Sequence, residues 1–239
     1  MPSVEKVAPK NEGWYAMSLL RMIGLKKKRF DDDPRMPVTR DISPEDFIKV
    51  NDQTFEYRER VLPRALTIEF WEGSGLVNFL LTSGGLKSEV LDVGCGSGEI
   101  DIILAQNGYS ITGLDISPYA IKIAQKHRAE HVKLKDRLRF IVGDIETADI
   151  DKRFSSAIIS HTLEHVLSPE KTVENTISHL KPGSTILVAV PNRKAWRERT
   201  HLRCYSKWSM KRFLRPYCRE LDVRIDPVER MIFAVMQLP

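Results

Sequence analysis

The stretch VLDVGCGSGEI, Val90–Ile100, decides how the rest of the chain is read. It opens on aliphatic and β-branched residues, turns through glycines at 94, 96 and 98, and leaves into a helical pattern. Glycine lets the backbone turn tightly and lets a ligand approach where a Cβ would clash. Counted from Asp92 the spacing is D-x-G-x-G-x-G, whereas dinucleotide folds use G-x-G-x-x-G, with the third glycine one position later. Such a loop says that a ligand lies against a strand-to-helix turn. Its surroundings have to say which ligand.

Those surroundings alternate between two rhythms. Short β-rich runs fall at 89–93, 110–115, 138–142, 155–160 and 184–190. Between them lie helical patterns at 118–132, capped by Ser117, and at 169–180, capped by Ser168 and stopped by Lys181-Pro182-Gly183. Strands alternating with helices at this interval predict an α/β fold, a Rossmann-like doubly wound and mostly parallel sheet. A helix at about 207–216 and two final runs, 221–225 and 231–237, read as a hairpin closing a seven-stranded sheet with a C-terminal antiparallel strand. Upstream, Ser43 followed by Pro44 is a helix start, and the apolar spacing from Phe47 predicts two helices broken near Pro63, the second ending near Gly84 and Gly85. The expected organisation is a loosely ordered basic leader over 1–40 and one domain over 41–239. That domain divides into N-terminal helices (41–85), a ligand-binding core (86–190), a basic insertion and helix (191–220) and the closing hairpin (221–239).

Composition narrows the class. The 239 residues carry 42% hydrophobic and 29% charged side chains, ordinary for a soluble domain that needs no staple. No apolar run approaches the roughly 18 residues that span a bilayer, and Met1–Lys10 is polar with no apolar signal region after it. Cysteines 95, 204 and 218 make no C-x-x-C pair. Reduced thiols and a cytoplasmic setting are the expectation. Within the leader, 14–30 reads either as a packed or disordered segment or as a basic amphipathic helix in weak contact with a membrane surface. The net charge is +5, yet residues 193–219 hold ten Lys or Arg against one acid, Glu198.

The ends of the predicted strands carry the rest of the site. The second ends in Gly113-Leu114-Asp115, a carboxylate placed where ribose hydroxyls donate. The third ends in Gly143-Asp144-Ile145, suited to an adenine amino group. The fourth ends in Ser160-His161, at the carboxyl edge where open α/β sheets bind ligands. Taken in order, VLDVGCGSG, GLDISPYAI, VGDIE, HTLEHV, LKPGSTILVAVPN and HLRCYS resemble the class I S-adenosylmethionine-dependent methyltransferases. The resemblance runs from about Val90 to the C-terminus and implies S-adenosyl-L-methionine as cofactor. It assigns the methionine end to Asp92, Gly94, Cys95, Gly96 and Gly98, the ribose to Asp115 beside Ile116, and the adenine to Asp144 beside Ile145. Ser160 and His161 would complete the cofactor contacts.

Methyl transfer from a sulfonium needs positioning and desolvation more than acid–base machinery. The polar cluster nearest the reacting position is His161, Glu164 and His165, with His201 downstream. His161 and His165 are the candidate catalytic residues. Three readings stand for the cluster: a structural turn and cofactor contact, a general base at His161, or a metal site of His161, Glu164, His165 and His201. Metal-dependent members of the family carry E-x-x-E-H here, and this chain has histidine where that motif begins with glutamate, so no metal is expected. The basic stretch after Pro191 favours an anionic small-molecule acceptor, with Arg197, Arg199, His201, Arg203 and Tyr205 as its contacts. Trp208 and Phe213 read either as ring-stacking surface or as packing for the last helix. Two other functions compete with a small-molecule O- or N-methyltransferase. One is an RNA methyltransferase, in which the basic aromatic insert binds nucleic acid; the other is a non-catalytic cofactor-binding scaffold.

Overall fold

A computed structural model describes residues 42–192 and 201–239. The leader over 1–40, with both readings of 14–30, lies outside the described residues, and so do Arg197 and Arg199.

Helix α1 (Pro44–Val61) begins as its sequence demands: the Ser43 side chain accepts from Asp46 N–H and proline holds the first turn. Pro63 ends it and starts a short 3₁₀ turn, Pro63–Leu66. The single second helix expected up to Gly84 is instead two pieces, α2 (Ile68–Trp71) and α3 (Gly75–Thr82). Gly73 at φ 78° turns the chain between them, and Ser74 caps the new start by accepting from Val77 N–H.

Seven strands follow: β1 (Glu89–Val93), β2 (Ser110–Asp115), β3 (Leu138–Val142), β4 (Phe154–Ser160), β5 (Leu180–Pro191), β6 (Glu220–Ile225) and β7 (Met231–Gln237). They form one sheet in the order β3-β2-β1-β4-β5-β7-β6. The first five pair in parallel; β7 lies antiparallel to both β5 and β6. The hairpin expected at the C-terminus is therefore present, and its second strand sits inside the first. Helices α4 (Glu99–Gln106), α5 (Pro118–Glu130) and α6 (Pro169–Ser178) make the crossovers, and α7 (Lys207–Leu214) precedes β6. The helix stop read at Lys181-Pro182-Gly183 lies within β5, where Gly183 at φ 68° and a register shift opposite Phe154 and Ser156 absorb the irregularity.

The central strands are covered on both faces, as parallel strands require. Leu91, Val93, Ala157, Ile159, Val188 and Val190 face one core. The alternate positions Val90, Ile158, Leu187 and Ala189 face the other. This arrangement brings the carboxyl ends of β1 to β4 together at one edge, which is where the functional residues collect.

Candidate functional site

A cavity of about 390 Å³ opens at that edge, floored by the glycine loop and the ends of β2 to β4 and walled by α1 and the residues around α2. The glycine loop needs each of its glycines for a different reason. All three have positive φ, 75° at Gly94, 56° at Gly96 and 80° at Gly98. A Cβ on Gly94 would lie 2.4 Å from Thr162 Oγ1, and one on Gly98 would lie 2.8 Å from the Phe140 ring. Gly94 and Gly98 are thus demanded by packing, and Gly98 is not among the lining residues; the contact expected of it is replaced by a fold requirement. Gly96 lines the cavity, and a Cβ on it would lie 3.2 Å from the Phe55 ring.

Asp115 holds the loop open. Its Oδ2 accepts from Gly96 N–H at 2.8 Å and its Oδ1 from Ser117 N–H at 2.9 Å. Burial raises its pKa even against those two donors. The carboxylate lines the cavity beside Ile116. Asp144 and Ile145 line it from the end of β3, with Asp144 Oδ1 accepting from Glu146 N–H at 2.9 Å. Asp92, Cys95 and Ser160 complete the floor, and the Ser160 hydroxyl is buried without a partner among the described residues.

Beneath the loop lies a concentration of acid. Asp92, Glu99, Asp101 and Asp115 are all buried. Apart from His127, 4.0 Å from Glu99, none has an ion-pair partner among the described residues. Burial pushes Asp92 up to about 7, and burial together with the charge of Asp92 pushes Asp101 well above the carboxylate range. Burial, with the same acids, drives the Cys95 thiol up. Each of these groups is held toward its neutral form, and a cation bound above them would favour their ionisation.

The edge over β4 carries the imidazoles. His161 stands at φ 51°, a conformation uncommon outside glycine, and its N–H donates to Ala189 O. Residues 162–166 form a single turn and not a helix, with His165 N–H and Val166 N–H both reaching Thr162 O. Glu164 is buried between two imidazoles: His161 Nδ1 is 3.5 Å and His165 Nε2 3.9 Å from its Oε1. Burial alone would raise its pKa, but His161 and the charge of His165 outweigh it and hold it below the usual range. Neither carboxylate oxygen receives a well-formed hydrogen bond among the described residues. His201 stacks edge-on to His165 at 4.8 Å. Ligand atoms of Glu164, His165 and His201 lie within 4.8 Å of one another; His161 is not in that set.

Two residues expected to reach the acceptor do otherwise. Arg203 spends its guanidinium on the carbonyls of Leu163, Val166 and Leu167, and Tyr205 is buried with its hydroxyl on Leu163 O. Neither lines the cavity, whereas His161, His165 and His201 do. Of the pair on α7, Phe213 packs on the core, while Trp208 is 69% exposed with Arg212 over its ring. No α7 residue lines the cavity.

Sequence reasoning missed most of the apolar wall of the cavity. Phe47, Phe55, Phe70, Trp71 and Met231 line it, and their periodicity was indistinguishable from ordinary core. Glu229 lines it too, accepting from the N–H groups of Gly75 and Leu76 at the start of α3. Asp52 ties α1 to α5 by accepting from Ser117 Oγ at 2.5 Å and Tyr119 N–H at 3.1 Å. Only a long-range contact reveals either acid.

The chain is similar to known proteins in the same region. A family model described as a methyltransferase domain matches residues 63–218. The mitochondrial ubiquinone biosynthesis O-methyltransferase of Schizosaccharomyces pombe is 31% identical over 105 residues, 44% of this chain and 38% of that protein. The ubiquinone biosynthesis O-methyltransferase of Coxiella burnetii (strain RSA 331 / Henzerling II) is 36% identical over 105 residues, 44% of each. The matched stretch thus spans less than half the length of these relatives. Among solved structures, the glycopeptide N-methyltransferase MtfA superposes with a TM-score of 0.61 at 19% identity, covering 70% of this chain and 96% of that one. Its complex with S-adenosyl-L-methionine superposes at 0.57 and 17% identity, covering 68% and 92%. With the seven-stranded order, the acid-floored glycine loop and a family match over more than half its length, the chain belongs to the class I S-adenosylmethionine-dependent methyltransferases.

Proposed function

We propose that this protein transfers a methyl group from S-adenosyl-L-methionine to an oxygen or nitrogen of a small molecule. The observation that carries the reading is the cavity itself: an acidic, cation-seeking floor at the glycine loop runs without interruption into a wall bearing His161, His165 and His201. The residues suit the cofactor. Gly96 leaves room a Cβ would fill, the buried oxygens of Asp92 and Ser160 lack partners, and Asp115 has lone pairs left beyond its two backbone donors. When bound, the cofactor supplies a methyl on a positively charged sulfur that is its own leaving group. Asp115 then orients the ribose end and Asp144 with Ile145 the adenine end. His161, 42% exposed with Glu164 behind it, accepts the proton of a hydroxyl acceptor. α1 and α2 exclude water from the reaction.

For the acceptor, the apolar and aromatic wall of Phe47, Phe55, Phe70 and Trp71 favours an apolar or ring-bearing end. An anionic group on it would be read by Arg197 and Arg199, since Arg203 is committed to carbonyls. A nucleic acid would need the exposed Trp208 and the basic face of α7, which lie off the cavity. The test is turnover of isotopically labelled donor with fractionated small-molecule and RNA pools. Label transferred to a small-molecule fraction is expected; label in RNA alone, or binding without any product, overturns the reading in favour of the RNA enzyme or the scaffold.

A second reading rests on one observation, the convergence of Glu164, His165 and His201. These could hold a divalent ion that polarises an acceptor hydroxyl. Transfer that persists after exhaustive chelation removes it.

A further inference from the structure

We infer that Arg203 is a positioning residue for methyl transfer, holding the histidine turn in its working shape from behind; as a claim about transfer it rests on the function proposed above. The turn from His161 to Leu167 starts in a left-handed conformation and makes one helical turn, so its carbonyls at 163, 164, 166 and 167 are not absorbed by a helix. A strap after β5 supplies the missing donors. Arg203 Nη1 donates to Leu163 O at 3.0 Å and also to Val166 O, and Nη2 donates to Leu167 O at 3.1 Å. Leu202 N–H donates to Glu164 O at 2.9 Å, and Tyr205 Oη to Leu163 O at 3.4 Å. The strap is itself fixed, since Tyr205 bridges Asn192 at the end of β5 and Ser206 caps α7.

One guanidinium therefore grips three carbonyls of the segment whose side chains form the acceptor edge. Only arginine presents enough donors in a rigid planar fork for this; lysine offers a point charge on a flexible stem. The grip bears directly on the site because Glu164 lies in the middle of the clamped segment, buried, facing His161 on one side and His165 on the other. The same strap carries His201 onto the His165 ring. Meanwhile the cofactor floor, from Gly94 to Asp115, makes no hydrogen bond to Arg203 among the described residues. Loss of the clamp should loosen the imidazoles and leave the floor intact. A displacement of about 1 Å at such a distance from the chemistry can lower a rate by on the order of 10²-fold.

The test compares Arg203→Lys and Arg203→Met with the unaltered protein. S-adenosylhomocysteine affinity is measured by calorimetry, and the imidazole resonances of His161 and His165 are followed in ¹⁵N-histidine-labelled protein saturated with S-adenosylhomocysteine. For Arg203→Met we expect affinity within about threefold, shifted or broadened resonances for both imidazoles, and partial recovery in Arg203→Lys. Where an acceptor supports turnover, kcat should fall on the order of 10²-fold with the KM for the donor unchanged. Imidazole resonances identical to the unaltered protein overturn the inference, and so does a loss of cofactor affinity in step with the resonances. If Arg203→Met does not fold, Arg203→Lys decides by the same two readings. Absence of transfer in the unaltered protein would defeat the proposed function while leaving the clamp to be judged on the resonances.

Discussion

Asp92 and Asp101 are buried together beneath the glycine loop, and the charge of Asp92 disfavours ionisation of Asp101. Burial, with the charge of Asp115 and against the contact with Asp101, sets Asp92 near 7, and burial with the charge of Asp92 holds Asp101 well above the usual carboxylate range. Asp92 also faces the cavity, so a cationic ligand favours its ionised form. Binding of S-adenosylmethionine should release a fraction of a proton near neutrality, with affinity rising as pH climbs through about 7 and levelling above. Calorimetry at pH 7 in two buffers of different ionisation enthalpy measures this; identical heats in both would refute it.

The same pair makes a prediction for stability. An acid whose folded pKa lies above its unfolded value of about 3.9 stabilises the fold fully at low pH and loses that contribution as pH rises through the folded value. The Asp92 window therefore runs from about 4 to about 7, with a slope of up to ~1.4 kcal/mol per pH unit. Asp101→Asn removes one of the two buried titrating carboxyls and should flatten the slope. Urea unfolding at several pH values in that window compares the two, and an unchanged slope in the variant would count against the pair.

Gly94 and Gly96 should fail in different ways. Gly94→Ala places a methyl 2.4 Å from Thr162 Oγ1 at φ 75°, combining left-handed strain of about 1–2 kcal/mol with overpacking of about 1–3 kcal/mol. Gly96→Ala adds the same strain with a milder contact, its methyl 3.2 Å from the Phe55 ring in the cavity wall. Gly94→Ala should lower the melting temperature more, and Gly96→Ala should lose more cofactor affinity per unit of stability lost. Melting curves and S-adenosylhomocysteine titrations rank them; the same order in both columns would be wrong for this loop.

Glu229 caps α3 from the far end of the sheet, so its loss leaves two backbone donors stranded. Glu229→Ala should cost about 1–3 kcal/mol, and Glu229→Gln should recover part of it because one acceptor oxygen remains. Equilibrium urea unfolding measures both. Equal stability of alanine and glutamine variants would show that the carboxylate does not cap the helix.

For His161, backbone and chemistry can be separated. Asparagine tolerates the left-handed conformation that alanine resists, and neither carries a base. His161→Asn should keep the stability of the unaltered protein while transfer to a hydroxyl acceptor falls by 10²- to 10⁴-fold, the usual span for a general base; His161→Ala should also lose about 1–2 kcal/mol. Full transfer in His161→Asn would leave the proton to another group.

Much of this was legible because the relevant signals are local. Ser43-Pro44, Ser117 and Ser168 place helix starts, and the runs at 89–93, 110–115, 138–142 and 231–237 match their strands, because short β-rich runs bounded by turn residues read as strands. The glycine spacing and the acids at the strand ends located the floor of the cavity. What could not be read was relational. Whether Arg203 faces a ligand or three carbonyls depends on where residues 163–167 turn, forty positions upstream. The aromatic wall has the periodicity of any amphipathic helix, so Phe55 and Trp71 gave no sign of lining a cavity. Histidines spaced as on a helix turned out to share a single turn, because His161 enters it left-handed.

The placement of β7 has a consequence for synthesis. Between β5 and β6 in space, it follows both in the chain. Until Met231–Gln237 leaves the ribosome, β5 offers an unpaired edge that is apolar from Ile186 to Pro191, and β6 has nothing to pair with. A nascent chain in that state resembles the exposed edges that invite aggregation. Folding of this protein should therefore finish in one late step, and a stalled or truncated product should be a substrate for chaperones.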